Sequence, residues 1–230
     1  MLQTVKKEPF ISDATLKVYM EFENNLKETI SGKSMGSYYQ SNVLYEDGPV
    51  GMAMKNRNQE SEMQELYPLD DMIESRDIIT RDQFTIELWS KVNDSTESQL
   101  TDFTVYSSDY DNTHETIHFM HNGSYVAYGL GSRDYFFMSR IDDYVENNKW
   151  THIALSVYDE KMKLFIDGVA IPDMDDIIAE YVQFDPTYYV RPKHIYLSLD
   201  TGAMVDNFAV WDGCKYWDNF KPPTTRYNTN

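Results

Sequence analysis

The chain has one cysteine in 230 residues, only 20 basic residues against 38 acidic ones, and no long apolar run. The single cysteine, Cys214, excludes an intrachain disulfide bond, a common support of small secreted domains. Residues 1–10 lack the apolar centre of a signal peptide, and no segment approaches the length of a membrane-spanning helix. We therefore expect the protein to be made in a cytoplasm and kept there unless it leaves by a route other than a signal peptide, without membrane insertion.

The acidic balance excludes one class of partner. A net charge of −18 repels the phosphate backbone of nucleic acids, so we expect no nucleic-acid binding. The same charge opposes contact with anionic lipid surfaces. Acidity of this degree is compatible with solubility alone, with cation binding, or with docking onto a basic partner, and the sequence does not separate these three.

Short runs of alternating apolar and polar residues recur along the chain, with turn residues between them and no interleaved long helical pattern. This pattern predicts an all-β protein built as an antiparallel β-sandwich. Strands are expected near 84–92, 102–107, 115–121, 124–130, 135–139, 151–158, 161–166, 194–199 and 204–211. The 18 tyrosines suit such strands, and they would also suit a recognition surface for sugars or proteins.

The clearest local pattern lies between Trp150 and Gly168. Apolar residues at alternate positions of 151–158, and again of 161–166, predict two strands that each bury one face. Asp167-Gly168 then supplies a tight turn that accepts positive φ. The segment therefore predicts a strand pair followed by a second hairpin turn.

A Trp-led strand, a short turn and a second strand ending in Asp-Gly resemble the most recognisable segment of the laminin-G-like (concanavalin A-like) jelly-roll family. Three further segments, 16–22, 84–89 and 204–211, are similar to family segments and occur in the family's order. The resemblance implies a jelly-roll domain over residues 15–215. Residues 1–14 would form an N-terminal arm, and residues 216–230 a C-terminal tail.

Several families with this fold hold calcium through carboxylates and carbonyls at a sheet edge, so the resemblance makes Ca²⁺ a candidate cofactor. The best local cluster of oxygen ligands is Asp109, Asp111, Asn112 and Glu115. The alternative is a solvated acidic turn, which is common in so acidic a chain. Asp206 matches an acidic position in the last family segment, where it would either hold a loop by hydrogen bonds or touch a ligand.

Two aromatic and basic clusters are candidates for sugar binding. One combines Arg133 with Tyr135, and the other combines Tyr188 and Tyr189 with Arg191. Sugar sites join an aromatic platform to hydrogen-bonding side chains, and both clusters have that composition. The alternative for both is a strand edge buried against a loop or a neighbouring subunit.

An enzymatic role finds little support in the sequence. Polysaccharide-cleaving enzymes on this fold carry two glutamates flanking an aspartate on one strand, which places two carboxyls on one face. That motif is absent, Glu87 stands alone on its predicted strand, and Glu21 and Glu23 lack the central aspartate. We expect no catalytic residues and no enzymatic activity.

The fold resembles a largely extracellular recognition family, yet the chain lacks a signal peptide and disulfides. A virion protein resolves this conflict, because virion proteins assemble in the host cytoplasm and reach the outside in the finished particle. We predict a non-enzymatic virion structural or surface protein, of decoration or fibre-associated type. It would dock onto other virion or surface proteins, with host-glycan recognition and homo-oligomerisation as further roles. The alternatives are a calcium-dependent carbohydrate-binding adhesion module and a polysaccharide-degrading enzyme.

Overall fold

The computed structural model describes residues 13–34, 36–37, 43–57, 64–67, 83–92, 101–106, 115–122, 125–130, 137–140, 144–146, 148–158, 161–171, 194–199 and 202–229. These residues form fifteen strands. In chain order they are β1 (Thr15–Met20), β2 (Gly36–Ser37), β3 (Val43–Gly48), β4 (Gly51–Asn56), β5 (Gln64–Tyr67), β6 (Phe84–Lys91), β7 (Thr101–Tyr106), β8 (Glu115–Asn122), β9 (Tyr125–Leu130), β10 (Phe137–Arg140), β11 (Thr151–Tyr158), β12 (Lys161–Ile166), β13 (Val169–Ala170), β14 (His194–Leu199) and β15 (Met204–Asp212).

The strands form two antiparallel sheets. The first sheet has the order β13-β12-β11-β6-β15-β4-β3, and β1 also pairs with β15. The second has the order β10-β9-β8-β7-β14-β5-β2. Neighbours such as β6 and β15 are far apart in sequence, so crossover connections join them, as in a jelly roll. The prediction of an all-β antiparallel sandwich is confirmed.

The core lies on one face of the first sheet. Alternate residues of β6 and β11 are buried there, and the register sets Ile86 opposite Leu155 and Leu88 opposite Ile153. Leu199 of β14, in the second sheet, belongs to the same cluster and is 0 % exposed. Because both sheets contribute to one apolar cluster, their inner faces meet.

The predicted turn at the end of β12 has the expected geometry. Ile166 pairs with Val169, which leaves two residues in the loop. Asp167 and Gly168 have φ values of 49° and 77°, as a type I′ turn requires. The Asp167 carboxylate accepts a hydrogen bond of 2.8 Å from the backbone N–H of His152, which ties this turn to the start of β11.

Most predicted strands agree with the structure to within two residues. β8 and β9 form a hairpin, because they pair from Asn122 opposite Tyr125. The predicted arm lies largely outside the described residues, which begin at Asp13. No helix in the described part of the chain is long and apolar enough to cross a membrane.

Candidate functional site

The outer face of the first sheet is covered by the end of the chain. We call residues 213–229 the C-terminal segment; it follows β15 and contains most of the predicted tail. The indole N–H of Trp89 donates to the carbonyl of Pro223 at 3.1 Å, and the N–H of Phe220 donates to the carbonyl of Gly168 at 2.9 Å. The segment therefore forms a third layer on the sandwich.

Glu87 lies at the centre of this covered face. It is 0 % exposed, and its carboxylate accepts hydrogen bonds from Trp211 Nε1 at 2.6 Å and Tyr216 Oη at 2.9 Å. The ammonium group of Lys215 lies 2.6 Å from Glu87 Oε1. His152 Nε2 lies 3.3 Å from Oε2, outside well-aligned hydrogen-bond geometry. Two of these four residues, Lys215 and Tyr216, come from the C-terminal segment.

The charges of this cluster are mutually adjusted. Burial alone would raise the pKa of Glu87, but the His152 contact and the positive charge of Lys215 outweigh it and lower that pKa to about 2. Burial lowers the pKa of Lys215 to about 8, although Glu87 opposes this shift. Burial also raises the pKa of the Tyr216 hydroxyl. Glu87 is therefore ionised at neutral pH and surrounded by donors.

Aromatic rings enclose the Lys215 ammonium. Its nitrogen lies 3.7 Å from the ring centre of Trp211, 4.0 Å from that of Tyr227 and 4.8 Å from that of Tyr216. Such contacts are favourable cation–π interactions. Together with the Glu87 pair, they attach the C-terminal segment to β6 and β15. An ionised carboxylate held in this way anchors a segment, and it has no proton to give as a general acid.

The backbone register of the second sheet aligns polar and aromatic residues of neighbouring strands. Residues two apart along a strand share a face, so the positions of Tyr196 and Ser198 in β14 alternate with that of Leu199. The register aligns with these positions a group of polar and aromatic residues: Asp102, Thr104 and Tyr106 of β7, His118 and Asn122 of β8, Tyr125 of β9, Arg140 of β10 and Tyr196 of β14. We call this group the outer row. Asn122, Tyr125 and Arg140 are directly paired across three strands.

One of the candidate calcium and sugar ligands predicted from the sequence lies within the described residues. Glu115 is the first residue of β8 and pairs with Tyr106 at a register shift. The other candidate calcium and sugar ligands lie outside the described residues: Asp109, Asp111, Asn112, Arg133, Tyr135, Tyr188, Tyr189 and Arg191. The calcium site and the two sugar-binding clusters therefore stay predictions. Within the described ranges, no group of three or more His, Cys, Asp or Glu side chains is arranged to hold a metal ion.

Asp206 holds a loop, which is one of its two predicted roles. Its carboxylate Oδ2 accepts a hydrogen bond of 2.9 Å from the N–H of Val50, in the turn between β3 and β4. The role of Glu87 was missed by sequence reasoning. The sequence did contain one indication of this role. A lone glutamate, Glu87, lies on a predicted strand, and Lys215 and Tyr216, which can pair with it, come shortly after the last strand.

The geometry defines a jelly-roll sandwich whose first sheet is covered on its outer face and whose second sheet contains the outer row. The model of the concanavalin A-like lectin/glucanase superfamily matches residues 71–218, more than half of the chain, so this chain belongs to that superfamily. No curated protein matches the sequence significantly.

Three solved structures show what the fold is similar to. Domain 4 of an extracellular arabinanase from Geobacillus stearothermophilus, in complex with arabinotriose, has a TM-score of 0.58 and 17% identity, over 87% of this chain and 94% of that domain. A structure of botulinum neurotoxin type C, whose cell entry depends on two ganglioside molecules, has a TM-score of 0.56 and 13% identity, over 91% of this chain and 50% of that one. Trypanosoma rangeli sialidase has a TM-score of 0.51 and 12% identity, over 93% and 31%. At these identities the similarity shows the fold alone, and this chain spans about half of the toxin chain and a third of the sialidase.

Proposed function

We propose that this chain is a non-catalytic carbohydrate-recognition module that binds its ligand on the outer face of the second sheet. The observation that carries the proposal is the outer row. Its register aligns tyrosine, histidine, asparagine and arginine at alternate positions of five neighbouring strands. Tyrosine rings suit the apolar faces of sugar rings, and the other side chains suit their hydroxyl groups.

The covered first sheet supports the choice of face. Its outer surface is occupied by the C-terminal segment, and Trp89 and Glu87 are engaged there by Pro223, Lys215 and Tyr216. A glycan cannot reach those groups while the segment is in place. The fold neighbours also support the ligand class, since the arabinanase domain was solved with arabinotriose and the type C neurotoxin interacts with gangliosides.

The test is a glycan array followed by calorimetry with the best ligand. The array should include arabinotriose and ganglioside oligosaccharides as probes. We expect Tyr125→Ala and Arg140→Ala each to weaken binding about tenfold or more, because one lost contact of about 1.4 kcal/mol changes the Kd tenfold. Tyr144→Ala is the matched control, since Tyr144 is 41 % exposed and lies outside the strands. Equal binding by all three variants would move the site away from this face.

The absence of catalysis is part of the proposal. It is supported by the state of Glu87, which is ionised and engaged by cations and donors on an occupied face. Incubation with arabinan and with sialyllactose should release no reducing sugar or sialic acid above a buffer control. Release that disappears in Glu87→Gln, with the fold intact, would make the chain an enzyme.

Docking into a virion stays a prediction, and it is compatible with glycan recognition on the same particle. The C-terminal segment lies on its own domain, so a truncation of residues 221–230 would disturb the fold as well as any docking. The mass of the full chain by light scattering is the cleaner test. A stable oligomer would favour an assembly protein, and a mass or melting temperature that changes with chelator would favour the calcium site at Asp109.

A further inference from the structure

Asp206 is a buried carboxylate of β15 that contacts the turn between β3 and β4. It is 0 % exposed, its Oδ2 accepts the Val50 N–H at 2.9 Å, and its Oδ1 has no hydrogen-bond partner. The backbone of Gly48 packs directly on it, since a Cβ at that position would lie 2.6 Å from Oδ2. The turn between β3 and β4 therefore rests on this carboxylate.

The next residue connects the same point to the C-terminal segment. Asn207 lies in a register shift of β15 with φ of 52°, and its Oδ1 accepts a hydrogen bond of 2.5 Å from the Tyr19 hydroxyl. The Tyr19 oxygen in turn accepts the N–H of Tyr227 at 3.2 Å. One irregular point in β15 thus holds both the β3–β4 turn and residue 227.

A second link joins the same two elements. Glu23 Oε1 accepts the N–H of Met52, in β4, at 2.9 Å and lies 2.5 Å from Arg226 Nη2. Arg226 Nη1 also lies 3.9 Å from Glu21 Oε2. The charged groups that act on Asp206 are therefore Glu23, which opposes its ionisation, and Arg226, which favours it. Glu21 competes for the same guanidinium.

We propose that Asp206 is a proton-operated clasp, which holds the β3–β4 turn against β15 when protonated and loosens that turn when ionised. This inference goes beyond glycan recognition and does not depend on it. The neutral acid suits the site, because a buried carboxylate with one unpartnered oxygen beside another carboxylate is costly to ionise.

The raised pKa of Asp206 determines how its contribution to stability varies with pH. Burial, with the Glu23 charge in addition, raises the pKa of Asp206 to about 6, against the opposing hydrogen bonds from Val50 and Asn207. The clasped state keeps a proton that the open state has lost, so the stability it contributes is complete below about pH 4 and is lost as the pH rises through about 6.

Hydrogen exchange tests the clasp at the β3–β4 turn. Protection factors for peptides covering 48–52 should fall about tenfold between about pH 5 and about pH 7.5 in the wild type. Asp206→Asn, which stays neutral, should show no such fall. Asp167→Asn is the matched control, because that carboxylate caps a different turn, and it should keep the wild-type profile. Identical profiles for wild type and Asp206→Asn would overturn the proposal.

A second measurement keeps the proposal testable if Asp206→Asn does not fold. The carboxyl carbon of Asp206 can be followed by NMR through a pH titration of the wild-type chain. A midpoint above about pH 5 supports the clasp, and a midpoint near the usual aspartate value of about 4 overturns it.

Discussion

Removing the charge of Glu87 tests the third layer of the structure. The substitution Glu87→Gln keeps the shape of the side chain, but it leaves the Lys215 ammonium without its counter-ion at a largely buried position. It also turns one accepting oxygen into a donor amide among Trp211, Tyr216 and Lys215, which all donate. We expect a marked loss of stability at neutral pH.

The size of the loss can be worked out from the shift. The pKa of Glu87 falls from its usual 4.5 to about 2, and at about 1.4 kcal/mol per unit this corresponds to about 3 kcal/mol for a fully buried group. Breaking a buried ion pair by removing one partner costs a similar amount, about 3–5 kcal/mol. We therefore expect the free energy of unfolding to fall by about 3 kcal/mol.

Urea denaturation of wild type and Glu87→Gln measures this loss, and a pH series adds a second readout. Glu87 stabilises the fold above its unfolded pKa, so its contribution should be complete above about pH 4.5 and lost toward about pH 2. The difference between wild type and variant should vanish over that range. The double variant Glu87→Gln/Lys215→Met should recover part of the loss, because no buried charge remains. A variant within about 0.5 kcal/mol of wild type at neutral pH, or strictly additive single effects, would refute the reasoning.

Gly168, Cys214 and Asn56 each make a separate contact or packing arrangement that can be tested. Gly168→Ala should destabilise the fold by well over the ~1 kcal/mol of a positive-φ penalty, because a Cβ there would collide with the Phe220 carbonyl. Gly32→Ala, at φ 72° and with only an ordinary contact of 3.6 Å to the Lys27 side chain, should lose only the smaller amount in the same melt. Cys214 is buried and its pKa is raised to about 12 by burial, so Ellman's reagent should label it only in denaturant; rapid labelling of the native chain would contradict its placement. Asn56→Ala should lower the free energy of unfolding, measured by urea titration, by about 1–3 kcal/mol. The reason is that the Asn56 side-chain amide donates at 2.8 Å to the Leu199 carbonyl of β14 and so links the two sheets. A loss below about 0.5 kcal/mol would show that this link does not stabilise the fold.

The strands were predictable because each has a period that the core enforces. In β11 and β12 the apolar residues alternate, and their partners across the ladder are apolar as well, such as Leu155 opposite Leu164. The Asp167-Gly168 turn was predictable because few residue pairs accept two positive φ values. Alternation and turn preferences therefore sufficed to predict the elements whose buried residues follow the strand period.

The C-terminal segment was not predictable in this way. Its aromatic residues Tyr216, Phe220 and Tyr227 pack from a stretch that is neither strand nor helix, so the spacing of these residues does not show which partners they contact. The burial of Glu87 was missed for the same reason, since it depends on residues more than a hundred positions later. The alternation of residues predicts which of them share a face of a strand, but it does not predict which distant segment covers that face.

The third layer also determines how the domain would respond to mechanical force. A pull on the C-terminal side would load Arg226 and Tyr227 first, then the Pro223 carbonyl on Trp89, and only afterwards the Lys215–Glu87 pair. These contacts would break one after another, as in unzipping, while the antiparallel ladders of β15 stay unloaded until the last of them opens. The C-terminal segment would thus detach before the strands of the sandwich separate.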